Sequence, residues 1–473
     1  MASAGPPVAG GDAPAPPYRR LCGEHRPMRI LIVTTYGFDR AFPSRPEQLQ
    51  ARALARRGHS VVAHEYRDRR YPGQTPRHEW LPGGVPVHRA PTYGFFAPEA
   101  LLRLLAADRP DVIHLHHMRS LLGFQTVLAA RRLGIPTVLT VHGLLHDGDL
   151  VADRERPLEA PLRYENLLTT PYRLLRRLAS GAHPRRAARN YFIHAPLLWV
   201  DHVIALSRGE RDLLARIGVS PTRLSVLPNA VELPPEDQRP KTKDQSRAAP
   251  APDQPLAEAQ SPATREQSRP SSNLIEQPWS SVVGPWSTRP MVLFIGQLVP
   301  RKGFDLLARA MPAIIREVPA ARFVFVSHNR AGEDELRRLV EEGGVADRME
   351  LLGRVSEEEK LRLLREAAVV AAPSRYEGFG IPLIEALLAG APVVTTDVMA
   401  GNEVIAHERT GLLTPYGDVD ALAAAVVRLL RDPALGRALA EAGRRDVLER
   451  YGADRLAADL EALYAELVPG ARA

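Results

Sequence analysis

Two carboxylates, Glu377 and Glu385, stand with seven residues between them, wrapped around Gly378-Phe379-Gly380-Ile381-Pro382. The glycines free the turn and let a ligand approach bare backbone. Pro382 falls where a helix would begin and Gly390 where it would stop. Free amide N–H groups at a helix start can bind a diphosphate. The carboxylates can accept hydrogen bonds from vicinal hydroxyls, on a sugar and on a ribose. Taken singly, each glutamate reads as an acid favoured by the helix dipole; the whole string points to a ligand. A second segment, Gly296-Gln297-Leu298-Val299-Pro300-Arg301-Lys302-Gly303, follows a strand and opens a helix. Lys302 can place a cation on a diphosphate and stabilise charge as a nucleotide leaves; its other reading is a solvated turn lysine. His142 ends a strand in Thr140-Val141-His142-Gly143. A lone histidine is more often structural than functional.

These residues need a scaffold, and the hydrophobic pattern describes one. Residues 369–373 and 392–396 read as strands on either side of the glycine-rich loop and its helix. Strands are also expected at 28–34, 60–63, 85–89, 111–116, 136–141, 202–207 and 224–229, with a helix at 47–57 stopped by Gly58. Pro86 makes the 85–89 strand an edge candidate. A second series opens at 291–296 and continues with helix 304–316, strand 322–326, helix 334–342 and strand 350–352. Alternating strands and helices imply parallel, doubly wound sheets, with ligands at the carboxyl ends of strands. That rule brings the 34–39 loop, His116-His117 and His142-Gly143 to one edge. His114 and His116 share a strand face, but no acidic or cysteine partner has matching spacing, so no metal is expected. Asp147-Gly148-Asp149 is a tripeptide common by chance.

Four stretches follow from composition. Residues 1–27 are rich in Ala, Gly and Pro and read as a disordered leader. Residues 28–233 form a first α/β domain. Residues 234–289, dense in Pro, Ser and Gln, read as a disordered linker or insertion. Residues 290–473 form a second domain ending in amphipathic helices. Residues 161–194 read as mostly helical, broken at Pro171 and 181–184, and carry Arg173, Arg176, Arg177, Arg185, Arg186 and Arg189. That block has two readings: a solvated helical face, or a basic surface for anionic lipid. A net charge of +7 suits an anionic partner, but no recognised module supports nucleic acid. One cysteine excludes a disulfide framework and suits a reducing cytoplasm. No apolar run reaches spanning length. The expected location is cytoplasmic, with a peripheral place at the inner face of the membrane if the arginine block meets lipid.

The string from Glu377 to Glu385 resembles the signature of retaining glycosyltransferases of family 4, which have the GT-B fold: two Rossmann-like domains facing across a cleft. Other segments extend the likeness. Residues 296–303 resemble the family's Gly-Arg-Leu-x-x-x-Lys-Gly, with Gln297 in the arginine position and Arg301 nearby as a substitute cation. Pro228-Asn229-Ala230-Val231-Glu232 resembles Pro-Asn-Gly-Val-Asp, and Gly411-Leu412-Leu413, after Asn402-Glu403-Val404, resembles the block that follows the signature. Departures are the single Gly37 in the first loop and Val326-Ser327-His328-Asn329 in place of Val-Gly-x-Gly.

The resemblance implies a hexosyltransferase that moves a sugar from a UDP- or GDP-linked nucleotide sugar to an acceptor hydroxyl with retention, without cofactor or metal. It implies catalytic roles for Glu377, Lys302 and His142, with Glu377 holding the donor sugar and His142 lying near it. Glu385 would hold the ribose. The backbones of Phe379, Gly380 and Ile381 would meet sugar and phosphate, with Gly296, Gln297 and Arg301 beside the diphosphate and Leu413 near the nucleotide. A rival reading is a non-catalytic nucleotide- or carbohydrate-binding protein on the same scaffold. A nicotinamide-dependent oxidoreductase is disfavoured, since no Gly-x-Gly-x-x-Gly follows the first strand.

Overall fold

Strand β1 (Arg29–Thr34) is exposed at Arg29 and buried through the rest of its length. Such a strand must be covered on both faces, as in a parallel sheet sandwiched by helices. The computed structural model describes residues 26–34, 38, 45–67, 78–81, 83–91, 105–106, 108–117, 121–142, 169–231 and 289–468. The leader up to residue 25, the 234–288 segment and Asp147-Gly148-Asp149 lie outside them.

The first sheet adds β2 (Ser60–Arg67), β3 (His78–Leu81), β4 (Val85–Pro91), β5 (Val112–His116), β6 (Thr137–Thr140), β7 (His202–Ala205) and β8 (Leu224–Val226). Its order is β3-β4-β2-β1-β5-β6-β7-β8, parallel except for β3 against β4. Around it lie α1 (Pro46–Arg56), α2 (Leu121–Leu133), α3 (Pro171–Ala179), α4 (Pro184–His194), α5 (Pro196–Trp199) and α6 (Arg208–Arg216). The expectation that Pro86 marks an edge strand is corrected. β4 pairs with β2 on one side and with β3 on the other, with Pro86 opposite Trp80. Pro86 is tolerated near the start of the strand, and the four-residue β3 takes the edge.

The second sheet contains β9 (Met291–Ile295), β10 (Arg322–Val326), β11 (Met349–Leu352), β12 (Val369–Ala372), β13 (Val393–Thr396) and β14 (Leu412–Thr414), all parallel in the order β11-β10-β9-β12-β13-β14. Its helices are α7 (Phe304–Glu317), α8 (Glu333–Glu342), α9 (Glu357–Glu366), α10 (Ile381–Leu388), α11 (Met399–Val404), α12 (Val419–Arg431), α13 (Pro433–Tyr451) and α14 (Ala453–Leu467). Apolar clusters cover both faces of this sheet.

Helix α14 departs from the expected division of the chain at residue 290. Leu456, Leu460, Leu463 and Tyr464 pack with Ile30, Leu54 and Val61 of the first domain. Glu461 is buried and pairs with Arg57, whose Nε donates to it over 2.7 Å. The chain therefore returns to its first domain at its end. The two passages between domains lie side by side, since Val231 N–H donates to the Tyr451 carbonyl over 2.8 Å and Val231 bridges to Gly452.

Candidate active-site cleft

Parallel strands deliver their carboxyl ends to one edge of each sheet, and the two edges border a cleft of about 350 Å³. The first domain contributes Arg45, Glu47, His117, His142, Leu206 and Asn229. The second contributes Arg301, Lys302 and the loop from Tyr376 to Pro382. Thus Lys302, Arg301, Glu377, Phe379, Gly380, Ile381 and His142 meet in one place. Gly296, Gln297, Glu385 and Leu413 do not border this cavity.

The second-domain wall is built by two close backbone approaches. Gly303 has φ 71° and starts α7. A Cβ there would overlap the carbonyl of Pro373, so only glycine lets the 300–302 turn sit against the end of β12. Arg375 N–H then donates to the Arg301 carbonyl over 2.7 Å. Gly380, at φ 84°, caps α10, and its carbonyl receives the N–H groups of Leu383 and Ile384. The start of α10 faces the cleft, where the helix dipole offers a positive end to an anion, although Pro382 has no N–H and the Leu383 N–H is taken by Gly380.

This packing sets Lys302 beside Glu377. Nζ lies 2.5 Å from Oε1, with side chains only 14% and 11% exposed. Ser374 Oγ donates to the same carboxylate oxygen over 2.8 Å. A cation and an acceptor-only group are thus held together at a helix start. An anionic ligand bearing hydroxyls would engage both, the phosphate through Lys302 and the hydroxyls through Glu377.

Glu385 faces elsewhere. Its Oε1 accepts from Lys360 Nζ over 2.8 Å, and Lys360 is shared with Glu357. Burial pushes the Glu385 carboxyl above its usual range, against the pull of Lys360. Gln297 Oε1 accepts from Arg301 Nη2 over 3.1 Å, which steadies the guanidinium bordering the cleft. Leu413 lies in β14, half-buried against the core, and its N–H donates to His407 Nδ1 over 2.9 Å.

The first-domain wall is a histidine cluster. His117 and His142 follow β5 and β6 and take φ 61° and 51°, a left-handed conformation uncommon outside glycine. Their rings stack with centroids 4.4 Å apart. His116 Nδ1 lies 2.7 Å from His142 Nε2. An acidic residue remote in sequence approaches the other two histidines: Glu47 Oε1, in the first turn of α1, lies 2.5 Å from His117 Nε2 and 3.9 Å from His142 Nε2. Spacing could not reveal it, because Glu47 is 70 residues from His117. Topology could have, since β1 and β5 are neighbours and α1 is the next element after β1. Burial opposes charge on Glu47, but His117, by charge and hydrogen bond, holds its carboxyl down at about 2. Burial, with His117 adding to it, lowers His142 to about 3, so its imidazole is neutral near pH 7.

Behind the cleft, His114 rests in a buried polar set. Its Nδ1 meets Gln50 Nε2 at 2.7 Å and Tyr464 Oη at 2.5 Å, and its Nε2 meets Thr140 Oγ1 at 2.7 Å. Its ring stacks on His116 at 4.4 Å. A second space between the domains, about 620 Å³, is bordered by Gly209, Phe379, Met399, Glu403 and Tyr451. There Glu403 accepts the N–H groups of Arg208 and Gly209, over 2.9 and 3.1 Å, at the start of α6. One domain thereby caps a helix of the other.

Comparison with known proteins gives these features a context. Residues 49–233 match the family model described as Glycosyltransferase Family 4, and residues 289–432 the model described as Glycosyl transferases group 1. The chain is 34% identical over 182 residues to an uncharacterized glycosyltransferase of Methanocaldococcus jannaschii, covering 38% of this chain and 46% of that protein. It is 38% identical over 179 residues to a GDP-mannose-dependent alpha-(1-6)-phosphatidylinositol monomannoside mannosyltransferase of Mycobacterium tuberculosis, covering 36% and 46%. The match therefore spans about half the length of these curated relatives. Among solved structures, sucrose-phosphate synthase of Thermosynechococcus elongatus superposes with TM-score 0.61 at 20% identity, covering 93% of this chain and 99% of that one. Anabaena HepE in complex with UDP and glucose superposes with TM-score 0.60 at 16% identity, covering 93% and 100%.

Proposed function

The chain belongs to glycosyltransferase family 4, and from that premise we propose that it transfers a sugar from a UDP- or GDP-linked donor to an acceptor hydroxyl, with retention at the anomeric carbon. Its two sheets facing across a cleft are the GT-B fold. The observation that carries the reading is the Lys302–Glu377 pair, 2.5 Å apart at the start of α10 and across the cleft from His142.

In this reading the donor diphosphate lies over the positive end of the α10 dipole, with Lys302 and Arg301 on its oxygens. Glu377 accepts hydrogen bonds from the donor sugar, and neutral His142 hydrogen-bonds a sugar hydroxyl. The bond from the anomeric carbon to the diphosphate breaks, and the acceptor oxygen bonds that carbon on the same face. The acceptor proton passes to the departing phosphate oxygen, so no protein base is needed. Positive potential at the diphosphate is worth most here, because it meets charge that grows as the bond breaks. Gly296 and Gln297 support that wall from behind. Glu385 would reach a ribose only by leaving Lys360, and Leu413 would back the nucleotide from β14.

The donor base is left open between two chemistries. The mycobacterial relative is named for GDP-mannose, and the Anabaena neighbour is described with UDP and glucose. The test is nucleoside diphosphate binding by thermal shift, followed by transfer assays with Lys302→Ala and Glu377→Ala. Each substitution is expected to lower transfer by about 10²–10³-fold, with Lys302→Ala also weakening diphosphate binding. Wild-type turnover in both variants would overturn the assignment. Nucleotide binding without donor turnover would instead favour a non-catalytic binding protein.

A second reading concerns the setting. On α3, Tyr172 and Leu175 are 72% and 65% exposed beside Arg176 and Arg177, and Arg185, Arg186 and Arg189 of α4 are exposed too. This surface favours peripheral contact with anionic lipid and an acceptor at a membrane. Among the described residues no helix is long and apolar enough to cross one.

A further inference from the structure

Helix α6 of the first domain carries a cap of its own. Ser207 Oγ accepts the Glu210 N–H over 3.2 Å, and Glu210 Oε2 accepts the Leu206 N–H over 2.8 Å. The N–H groups of Arg208 and Gly209 go instead to Glu403 of the second domain, one to each carboxylate oxygen. Glu403 is presented by the end of α11, where the Glu403 and Val404 carbonyls accept from Arg450 Nη1 and Nη2 over 2.8 and 3.0 Å. Arg450 stands one residue before Tyr451, whose carbonyl takes the Val231 N–H where the chain passes between domains. The fit is close, since a Cβ on Gly209 would overlap the Met399 side chain. Apolar residues beside this contact cross the boundary in both directions. Leu206 of the first domain is buried in a second-domain cluster with Phe379. Tyr376 of the second domain is buried in a first-domain cluster, with Met399 packed against it. Tyr376 immediately precedes Glu377 in the chain.

We propose that Glu403 is a positioning residue that latches the two domains together through the start of α6, and that the latch keeps Tyr376 seated in the first domain. Seating Tyr376 fixes the neighbouring Glu377 relative to His142 on the opposite wall. A carboxylate suits this place, because it meets two N–H groups and the positive end of the α6 dipole at once. Ser207 and Glu210 cap α6 without it, so Glu403 serves the contact between domains rather than the helix itself. Transfer joins groups held on both walls, and a misplacement of about 1 Å between them costs about 10²-fold in rate. Lys302, Arg301 and the start of α10 all belong to the second domain, so diphosphate binding does not need the latch. Its effect on transfer rests on the transferase reading; its hold on the domains does not.

The test uses the full chain and two variants that part the contact from opposite sides. Glu403→Ala removes the acceptor from the second domain, and Gly209→Val drives a side chain from the first domain into Met399. Hydroxyl-radical labelling read by mass spectrometry follows Tyr376, which is 5% exposed and distant in sequence from both substitutions. Its labelling is expected to rise at least about threefold in each variant, as a contact that opens loses protection. Tyr464, buried in the first-domain core, is expected to stay protected, which separates parted domains from lost folding. Glu403→Gln, which keeps one acceptor oxygen, should fall between wild type and Glu403→Ala. For transfer, kcat is expected to drop at least about tenfold in both variants, with UDP or GDP affinity within about twofold of wild type. Tyr376 labelling that stays at the wild-type level in both folded variants overturns the latch. Raised labelling with undiminished kcat overturns the positioning role. Failure of the wild type to bind either nucleoside diphosphate would overturn the transferase reading separately, because the labelling needs no ligand.

Discussion

Gln297 stands where the resemblance implies an arginine, and its side chain holds that of Arg301. Its Oε1 accepts from Arg301 Nη2 over 3.1 Å, and Arg301 borders the cleft four residues on. On the proposed reading, Arg301 supplies the cation that Gln297 does not. A charge-assisted hydrogen bond to a phosphate is worth about 1.5–3 kcal/mol. Arg301→Ala is therefore expected to weaken UDP or GDP binding by at least about tenfold, close to 1.4 kcal/mol. Gln297→Ala, which only releases the guanidinium, should cost less. Calorimetric titration of both variants checks this, and an unchanged Kd for Arg301→Ala would remove it from the donor site. Local motifs made the placement of Lys302, Glu377 and His142 at the cleft legible in the sequence, because each sits where a strand ends or a helix opens. Glu47 was not legible in that way. Its partner His117 is 70 residues distant, and only the adjacency of β1 and β5 brings them together. Nor did the sequence reveal that Glu385 faces Lys360, since that depends on how α9 packs on α10.

Elements were easier to read than the surfaces they cover. The strand–helix alternation and the break at 181–184 were legible, and the structure places α3 and α4 on either side of that break, with Pro171 opening α3. The four-residue β3 is not legible in the sequence, because a segment so short carries too little pattern. Helix α14 packs on the first domain's core, which its sequence does not reveal, since apolar spacing shows that a helix is covered but not by which sheet. The arginine block is an element whose two readings are separable by experiment. Helix α3 buries none of its residues and presents Tyr172 and Leu175 between arginines. Each arginine near an anionic surface contributes about 1 kcal/mol, screened by salt. Flotation with anionic vesicles is expected to carry the protein and neutral vesicles much less. Arg176→Glu with Arg177→Glu should abolish the preference, and Leu175→Ser should weaken binding to both vesicle types. Equal flotation with neutral and anionic vesicles would leave the block as a solvated face.

At the scale of the molecule, the first domain is closed by the last described helix, and its interior holds histidines that must stay neutral. His64 is buried, and burial, with His88 adding to it, lowers its pKa to about 4. His114, between Gln50, Thr140 and Tyr464, is lowered by burial, with His142 and His202 adding to it, to about 3. Unfolded, each would titrate near 6.5. The unfolded chain thus binds more protons than the folded one between about 6.5 and those depressed values, and stability falls with pH across that window. Above 6.5 the contribution is fully present. Each group removes about 1.4 kcal/mol per pH unit within the window. From pH 6.5 to 5.0 that amounts to roughly 2 kcal/mol per histidine as an upper bound. Urea unfolding at pH 7.5, 6.5 and 5.0 should show little change over the first step and a marked loss over the second. His64→Gln should flatten the second step by up to that amount, while its stability at pH 7.5 reports packing alone. A wild-type midpoint that stays constant down to pH 5.0 would mean that these imidazoles reach water when charged, and that α14 and the strands beneath it open more readily than their burial implies.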